Sequence, residues 1–375
     1  MDRELVDRLR ELVAIPSMNP GRARHRGAGY GEEALARHVA EFLRRCGLEV
    51  QLCTVAPGRP NVLARLEGRE GGQPLLFVAH LDTVPVEGMT IAPFEPQVRE
   101  GRLTGRGACD NKGSLAAMLT ALRRVAEAGG SRSPILFAGT VDEESGYAGI
   151  RALAREGLAA GAAFVGEPTA LRIVIAHRGA LRHALTTTGR SAHSAHPELG
   201  VNAIYAMAPL VADLEALAGQ IARRPPHPLV GPPTLSVGTI RGGHSVNTVP
   251  DRCTVEVDRR LVPGESAEEA EDELRAAVER HGATMERIFH AAPFELPSDA
   301  TVVGLAREAV QAAGLEPCVV GVAYATEAPE VLAAGVPVVV LGPGDGSKAH
   351  SADEWIALDQ LEAAERVYRH LMTFG

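Results

Sequence analysis

Leu5, Leu9, Leu12 and Val13 repeat at the spacing of one helix face, and Pro16 stops the run. Residues 32–46 read as a second helix closed by Gly47, with a Gly/Arg-rich loop over 17–31 between the two. Residues 48–55 and 62–67 read as strands, and 75–79 as a further strand whose apolar run is continuous rather than alternating, the mark of burial on both faces. Runs of the same kind at 134–141 and 162–166 alternate with helical stretches, among them the alanine-rich 114–126. That grammar predicts an α/β domain: a mixed, mostly parallel sheet flanked by helices.

After Thr169 the order changes. Residues 180–188 read as a strand, 200–217 as a helix, 234–240 and 253–261 as strands, 266–281 as a capped acidic helix, and 286–294 as a last strand. The sequence βαββαβ is the ferredoxin-like pattern, in a stretch of the right size for a small inserted domain. The expected division is 1–177 with 294–375 for the main domain and 178–293 for the insertion. A helix over 302–313 resumes the main domain, and the Pro-rich 223–233 is a loop between elements of the insertion.

The apolar runs of the main domain share an ending. Residues 75–79 lead into His80 and Asp82, which share one face of an extended chain, an arrangement suited to a metal ligand and a carboxylate that orients it. Asp110 lies in the glycine-punctuated turn Gly105-Arg106-Gly107-Ala108-Cys109-Asp110-Asn111-Lys112-Gly113, before the 114–126 helix. The 134–141 run ends at Asp142-Glu143-Glu144, 162–166 at Glu167-Pro168-Thr169, and 336–341 in a Gly-Pro-Gly loop leading to His350. Functional groups of open parallel sheets gather beyond the carboxyl ends of the strands. His, Asp, Glu, Glu and His form a donor set for hard or borderline divalent cations, with no thiolate required. Each residue has a structural reading when taken singly; five decorated strand ends together make a two-metal site. Asp110 is the natural bridge, His80 and Glu167 complete one ion, Glu144 and His350 the other, and Glu143 is left to act as general base on a metal-bound water.

Composition narrows the partners. The chain has 375 residues, 45% of them hydrophobic, enough for two domains and a sizeable core. A net charge of -9 and an aromatic content of 4% argue against a nucleic-acid partner. The charged N-terminus suggests no signal peptide, and no stretch reads as a membrane span. Five cysteines without paired spacing suggest a reduced, cytoplasmic protein, and Cys109 reads as a packing residue beside Asp110.

These motifs, spread from His80 to His350, resemble the dinuclear zinc aminoacylase and carboxypeptidase family, which includes acetylornithine deacetylase, succinyl-diaminopimelate desuccinylase and glutamate carboxypeptidase. The resemblance implies a zinc-peptidase-like catalytic domain and an inserted dimerisation domain. His80, Asp110, Glu144, Glu167 and His350 are then the ligands of two divalent ions, zinc or cobalt, with Asp82 behind the ligands and Glu143 as base. Gly189-Arg190-Ser191-Ala192-His193 resembles the segment that brings a histidine to the partner subunit's site, where His193 would stabilise the oxyanion; His196 is its structural neighbour. Gly242-Gly243-His244-Ser245-Val246-Asn247 with Asp258-Arg259-Arg260 resembles the substrate-gripping element, making Asn247 and Arg260 candidates for substrate carbonyl and carboxylate, with Arg259 the alternative. Ala176-His177-Arg178-Gly179 and Thr326-Glu327-Ala328-Pro329 lean toward acetylornithine deacetylase-like members; Glu327 is read either as a substrate-side-chain contact or as a bracing acid. Ser114 departs from the family's usual second glycine without touching any assigned role.

The reading is a homodimeric metal-dependent amidohydrolase that removes an acyl group from an N-acyl amino acid, N-acetylornithine foremost, in arginine biosynthesis. A water bridging two metal ions attacks the amide carbonyl. The alternatives are a desuccinylase, an N-acetylcitrulline or N-acetyllysine deacetylase, a dipeptidase or glutamate carboxypeptidase with the same chemistry, or a non-catalytic scaffold.

Overall fold

The computed structural model describes residues 1–21, 25 and 27–375, so the loop expected over 17–31 lies partly outside the described residues. The chain forms two compact units: Met1–Ile175, Leu296–Val320 and Thr326–Gly375 in the first, Ala176–Glu295 and Gly321–Ala325 in the second.

The first unit opens with α1 (Arg3–Val13), where the Asp2 side chain accepts from the Leu5 N–H, and α2 (Glu33–Arg45). Each buries a single apolar face, Leu5, Leu9 and Leu12 in α1 and Leu35, Val39 and Leu43 in α2. β1 (Glu49–Ala56), β2 (Arg59–Leu66) and β3 (Leu75–His80) follow, then the short β4 (Gln97–Arg99) and β5 (Arg102–Thr104), and α3 (Lys112–Glu127). The chain continues through β6 (Ile135–Thr140), α4 (Ala148–Glu156), β7 (Ala162–Val165) and β8 (Ile173–His177).

The second unit holds β9 (Gly179–Thr188), β10 (Ala192–His193), α5 (Ala203–Ile221), β11 (Thr234–Gly242), β12 (Thr248–Val249), β13 (Arg252–Leu261), α6 (Ala267–Arg280), β14 (Thr284–Ala291) and β15 (Phe294–Glu295). Its four long strands run in the order β11-β13-β9-β14, all antiparallel, which is the ferredoxin-like arrangement. Ala203, Met207, Leu210, Leu214 and Ile221 of α5 recur on one face and pack into the core with Leu185, Val255, Val257 and Leu274. Among the described residues α5 is the one helix long and apolar enough to cross a membrane.

The chain then returns through α7 (Thr301–Ala312), β16 (Val319–Val322), α8 (Ala328–Ala333), β17 (Val338–Val340), β18 (Trp355–Ala357) and α9 (Leu358–Phe374). The central strands lie in the order β1-β2-β6-β3-β7-β17-β8. β3 runs parallel to β6 and β7, and β17 parallel to β7, with His80 opposite Thr140 and Val340 opposite Val165. The carboxyl ends of β3, β6, β7 and β17 therefore open on one edge. All six residues of β3 are buried, as its unbroken apolar run predicts. Phe77 stacks on Phe164 with ring centroids 5.2 Å apart, and Tyr368 of α9 meets Phe77 edge-on at 6.2 Å. Truncating such a ring to alanine costs about 3–5 kcal/mol.

β1 and β2 form an antiparallel hairpin joined antiparallel to β6, which gives the sheet the mixed character expected of it. Two features depart from expectation. β4, β5 and β18 form a separate antiparallel ribbon, each strand only three residues long. The strand expected over 286–294 divides at Pro293 into β14 and β15.

Candidate metal centre

His80 ends β3 with its ring 1% exposed. Its Nδ1 lies 3.0 Å from the Asp82 carbonyl oxygen and 3.6 Å from the Asp82 carboxylate, so Nδ1 carries the proton and Nε2 faces outward. Nε2 lies 3.0 Å from Asp110 Oδ1. On the opposite side of the same carboxylate, His350 Nε2 lies 3.4 Å from Asp110 Oδ2 and 3.1 Å from Glu144. One carboxylate thus stands between two imidazoles. Glu167 Oε1, 3.9 Å from His80 Nε2, is buried without a hydrogen-bond partner. Donor atoms of His80, Asp110 and Glu167 lie within 4.8 Å of one another, as do those of Asp110, Glu144 and His350, and those of His80, Glu143 and Glu144.

The residues fit two divalent cations sharing Asp110. Asp110, Glu143, Glu144 and Glu167 crowd two imidazoles, and the orphaned Glu167 oxygen calls for a positive partner. Burial pushes Glu143 and Glu167 well above the usual carboxylate range, with neighbouring carboxylates adding to it. Burial also opposes charge on Asp110, but hydrogen bonds from His350 and His80 outweigh it and hold that group low. Hydrogen bonds to Asp110 and Glu144 push His350 up to about 10. The proton so held on His350 occupies the lone-pair direction a cation would take.

The candidate ligands are held by Asp82, as expected, and by Asn19, Arg59, Glu32 and Asn111, which sequence reading passed over. Asp82, fully buried, accepts from the backbone N–H of Glu143 at 3.1 Å and of Glu144 at 3.0 Å, and from Asn19 Nδ2 at 2.7 Å. It therefore fixes the acid pair as well as facing His80. Asn19 Nδ2 also reaches Asp142 Oδ1 at 3.1 Å. Asp142 has φ 71°, a left-handed conformation rare outside glycine, and its carbonyl oxygen accepts from Gly146 and Tyr147. Arg59 Nη1 lies 2.9 Å from Asp142, and its Nε and Nη2 lie 2.7 and 2.5 Å from the buried Glu32 carboxylate. Asn111 Nδ2 donates to the Gly166 carbonyl oxygen at 2.5 Å, tying the Asp110 turn to the Glu167 turn. Ser114 packs where a Cβ on Gly342 would come within 2.6 Å of its Oγ, so only a small side chain fits. Cys109 Sγ turns away to the Asp345 carbonyl oxygen, 3.4 Å distant, and burial pushes its thiol up.

Glu327 is 1% exposed. Its Oε2 accepts from Thr140 Oγ1 at 2.7 Å, its Oε1 has no partner, and burial pushes it up to about 8.

In the second unit, His193 of β10 pairs with Thr248 of β12, and Ser194 N–H donates to the Asn247 carbonyl oxygen at 3.1 Å, so Asn247, in the turn before β12, lies beside the His193 strand. His193 Nδ1 accepts from Ala195 N–H at 3.0 Å, which puts the ring proton on Nε2. His196 lies 3.4 Å from Glu198 at the surface. Arg260 grips Asp258, Nε to Oδ1 at 2.6 Å. Arg259 points into the core, 1% exposed and 2.6 Å from Glu265.

Residues 76–373 match the family model described as peptidase family M20/M25/M40. An acetylornithine deacetylase of Proteus mirabilis is 32% identical, covering 98% of this chain and 95% of its own. Another from Edwardsiella ictaluri is 34% identical over 93% of this chain and 92% of its own. Among solved structures, an M20 metallo-carboxypeptidase of Sulfolobus solfataricus superposes with a TM-score of 0.83, covering 99% of both chains at 22% identity. A dinuclear metal-binding M20 peptidase of Bacillus subtilis gives 0.67 at 17% identity, covering 98% of this chain and 96% of its own. The fold, the full-length relatives and the match over residues 76–373 together make this chain a member of the M20/M25/M40 peptidase family, a hydrolase with candidate divalent-metal ligands gathered at one sheet edge.

Proposed function

We propose that the enzyme deacetylates N-acetylornithine, as a cytoplasmic homodimer with two zinc ions held by His80, Asp110, Glu144, Glu167 and His350. The observation that carries the hydrolytic reading is the Asp110 carboxylate between the imidazoles of His80 and His350. Full-length relatives that are acetylornithine deacetylases support the choice of substrate.

Two divalent ions bound to these residues supply polarisation of the amide carbonyl and acidification of a water. Asp82 keeps His80 Nε2 aimed outward and holds the backbone of both acids. Glu143 takes the proton of the attacking water and returns it to the leaving amine; burial raises its proton affinity, which favours the first transfer. His193 donates from Nε2 to the developing oxyanion. Asn247 takes the substrate carbonyl and Arg260 its α-carboxylate, for which a guanidinium offers a bidentate fork. Glu327 answers the side-chain ammonium with its unpartnered Oε1.

A homodimer suits the second unit. β11 is an edge strand carrying Ile240 at 58% exposed, and α5, which packs beside it, carries Tyr205 at 78%. An edge strand and a neighbouring helix can pair with their own copies about a two-fold axis. The unpaired cysteines suit a reducing compartment.

The test is amine release by the zinc- or cobalt-loaded enzyme on N-acetylornithine, N-acetylcitrulline, N-acetyllysine, N-succinyl-diaminopimelate and dipeptides. Preference for N-acetylornithine supports the assignment. Turnover confined to another substrate keeps the hydrolase and removes the assignment, and no turnover with both metals bound rejects the mechanism.

A further inference from the structure

Glu354 stands four residues beyond His350, just before β18, and is fully buried. Four donors converge on its carboxylate. Oε2 accepts from Arg106 Nη1 at 2.6 Å and Gly107 N–H at 3.0 Å; Oε1 accepts from Cys109 N–H at 2.9 Å and Asp110 N–H at 3.0 Å. Its carbonyl oxygen accepts from Gly105 N–H at 3.0 Å, and the pairing of Trp355 with Thr104 and Ile356 with Leu103 seats the segment alongside. The backbone N–H groups of Gly105, Gly107, Cys109 and Asp110 in the turn that presents Asp110 are thus all answered by one residue from the far end of the chain.

The candidate ligands are not anchored equally. His80 ends a strand paired on both sides, and Glu167 lies two residues after another strand, in a turn whose Thr169 bonds Gly342. Asp110 sits in a turn with positive φ at Gly105 and Gly107, and His350 lies in a loop with φ 60°. Neither belongs to a strand or helix, and both lead directly to Glu354. Asp110 and His350 belong to one cluster, with Glu144; in the cluster of His80, Asp110 and Glu167 only Asp110 depends on Glu354.

We infer that Glu354 is a positioning residue that sets the affinity of the metal position formed by Asp110, Glu144 and His350, with much less influence on the position formed by His80, Asp110 and Glu167. The inference rests on the two-metal reading. Partners behind metal ligands typically govern metal affinity by about 10- to 100-fold. Here the effect falls selectively on one of two neighbouring ions, because Glu354 fixes the spacing between two ligands of that ion and one ligand of the other.

The experiment is a cobalt(II) titration of metal-free protein, followed by visible absorption with a competing chelator. The wild type is expected to bind two equivalents. In Glu354→Gln, an amide group faces two of the donors; the first equivalent should bind as in wild type and the second about 10- to 100-fold more weakly. Arg106→Gln, which leaves the three backbone hydrogen bonds in place, should keep both affinities. Equal weakening of both equivalents, or of neither, overturns the inference, and so does the same selective loss in Arg106→Gln. A wild type that binds one equivalent overturns the two-metal reading and this assignment with it. If metal-free Glu354→Gln shows no cooperative thermal transition, Glu354→Asp makes the same comparison, and the weakening must again favour the second equivalent.

Discussion

Replacing Arg59 by methionine, similar in length but uncharged, tests the bracing of the Glu143–Glu144 turn. The Glu32 carboxylate, fully buried, would keep only the Asp142 N–H at 3.3 Å. Stranding a buried charge costs about 3–5 kcal/mol. Glu32 has an escape, which is to take a proton. From its ordinary 4.5, protonation at pH 7 costs 1.36 × (7 − 4.5), about 3.4 kcal/mol, and at pH 5 only about 0.7. The charge penalty is therefore capped near 3.4 kcal/mol at neutral pH, with about 1 kcal/mol more for the lost hydrogen bonds. A carboxyl whose folded-state pKa is raised destabilises above that pKa and ceases to do so below its unfolded value, so acidification must relieve the variant. Burial already raises Glu32 to about 7 although Arg59 opposes it, so the wild type itself carries most of that trend, and the charge part of the gap narrows by less than about 1 kcal/mol between pH 7 and 5. The assay is urea unfolding of both proteins in chelator at the two pH values, with the double variant Arg59→Met, Glu32→Gln alongside. A gap that widens on acidification, or no recovery in the double variant, refutes the reasoning.

Glu143→Gln should bind its metals as the wild type does, by elemental analysis, while turnover falls about 10²- to 10⁴-fold; substantial activity rejects Glu143 as base. In the second unit, hydrogen bonds from Arg287 and His183 outweigh burial and hold Glu271 at about 2. Its stabilisation is complete above 4.5 and lost as pH falls from there toward 2; since Arg287 is 44% exposed, the full shift is discounted to about 1–2 kcal/mol. Arg287→Met should therefore be less stable at pH 7 but converge with wild type near pH 2 in thermal unfolding. Carboxylates introduced together at Tyr205 and Ile240 should convert a dimer to monomer in sedimentation velocity, and a persistent dimer would move the interface elsewhere.

The candidate ligands were legible because each follows an apolar run that only a buried strand explains, and parallel strands deliver their ends to one edge. The burial of Arg259 was legible too. Cys253, Val255, Val257 and Leu261 alternate inward along β13, and Arg259 shares their parity. The braces were not. Asn19 and Arg59 lie in loops or at a strand's start, and Glu32 reads as an ordinary helix-opening acid; only tertiary structure makes them converge on Asp82 and Asp142. The ribbon strands are too short to show a period of two. α9 follows a helical period at Leu361, Ala364, Tyr368 and Leu371, a signal as plain as that of α1.

β17 lies between β7 and β8, yet it is made long after both. During synthesis the first unit must wait with an open seam in its sheet while the whole second unit emerges and folds as a separate body. His350 and Glu354 arrive later still, so the last parts of the candidate metal centre to be installed are also the last of it to leave the ribosome. A nascent chain cannot assemble a complete ligand set early and charge it with whatever ion is at hand. Ribosome-bound chains that stop before Val338 are therefore expected to carry a protected second unit and a protease-sensitive first one, with the site formed only after Glu354 has emerged.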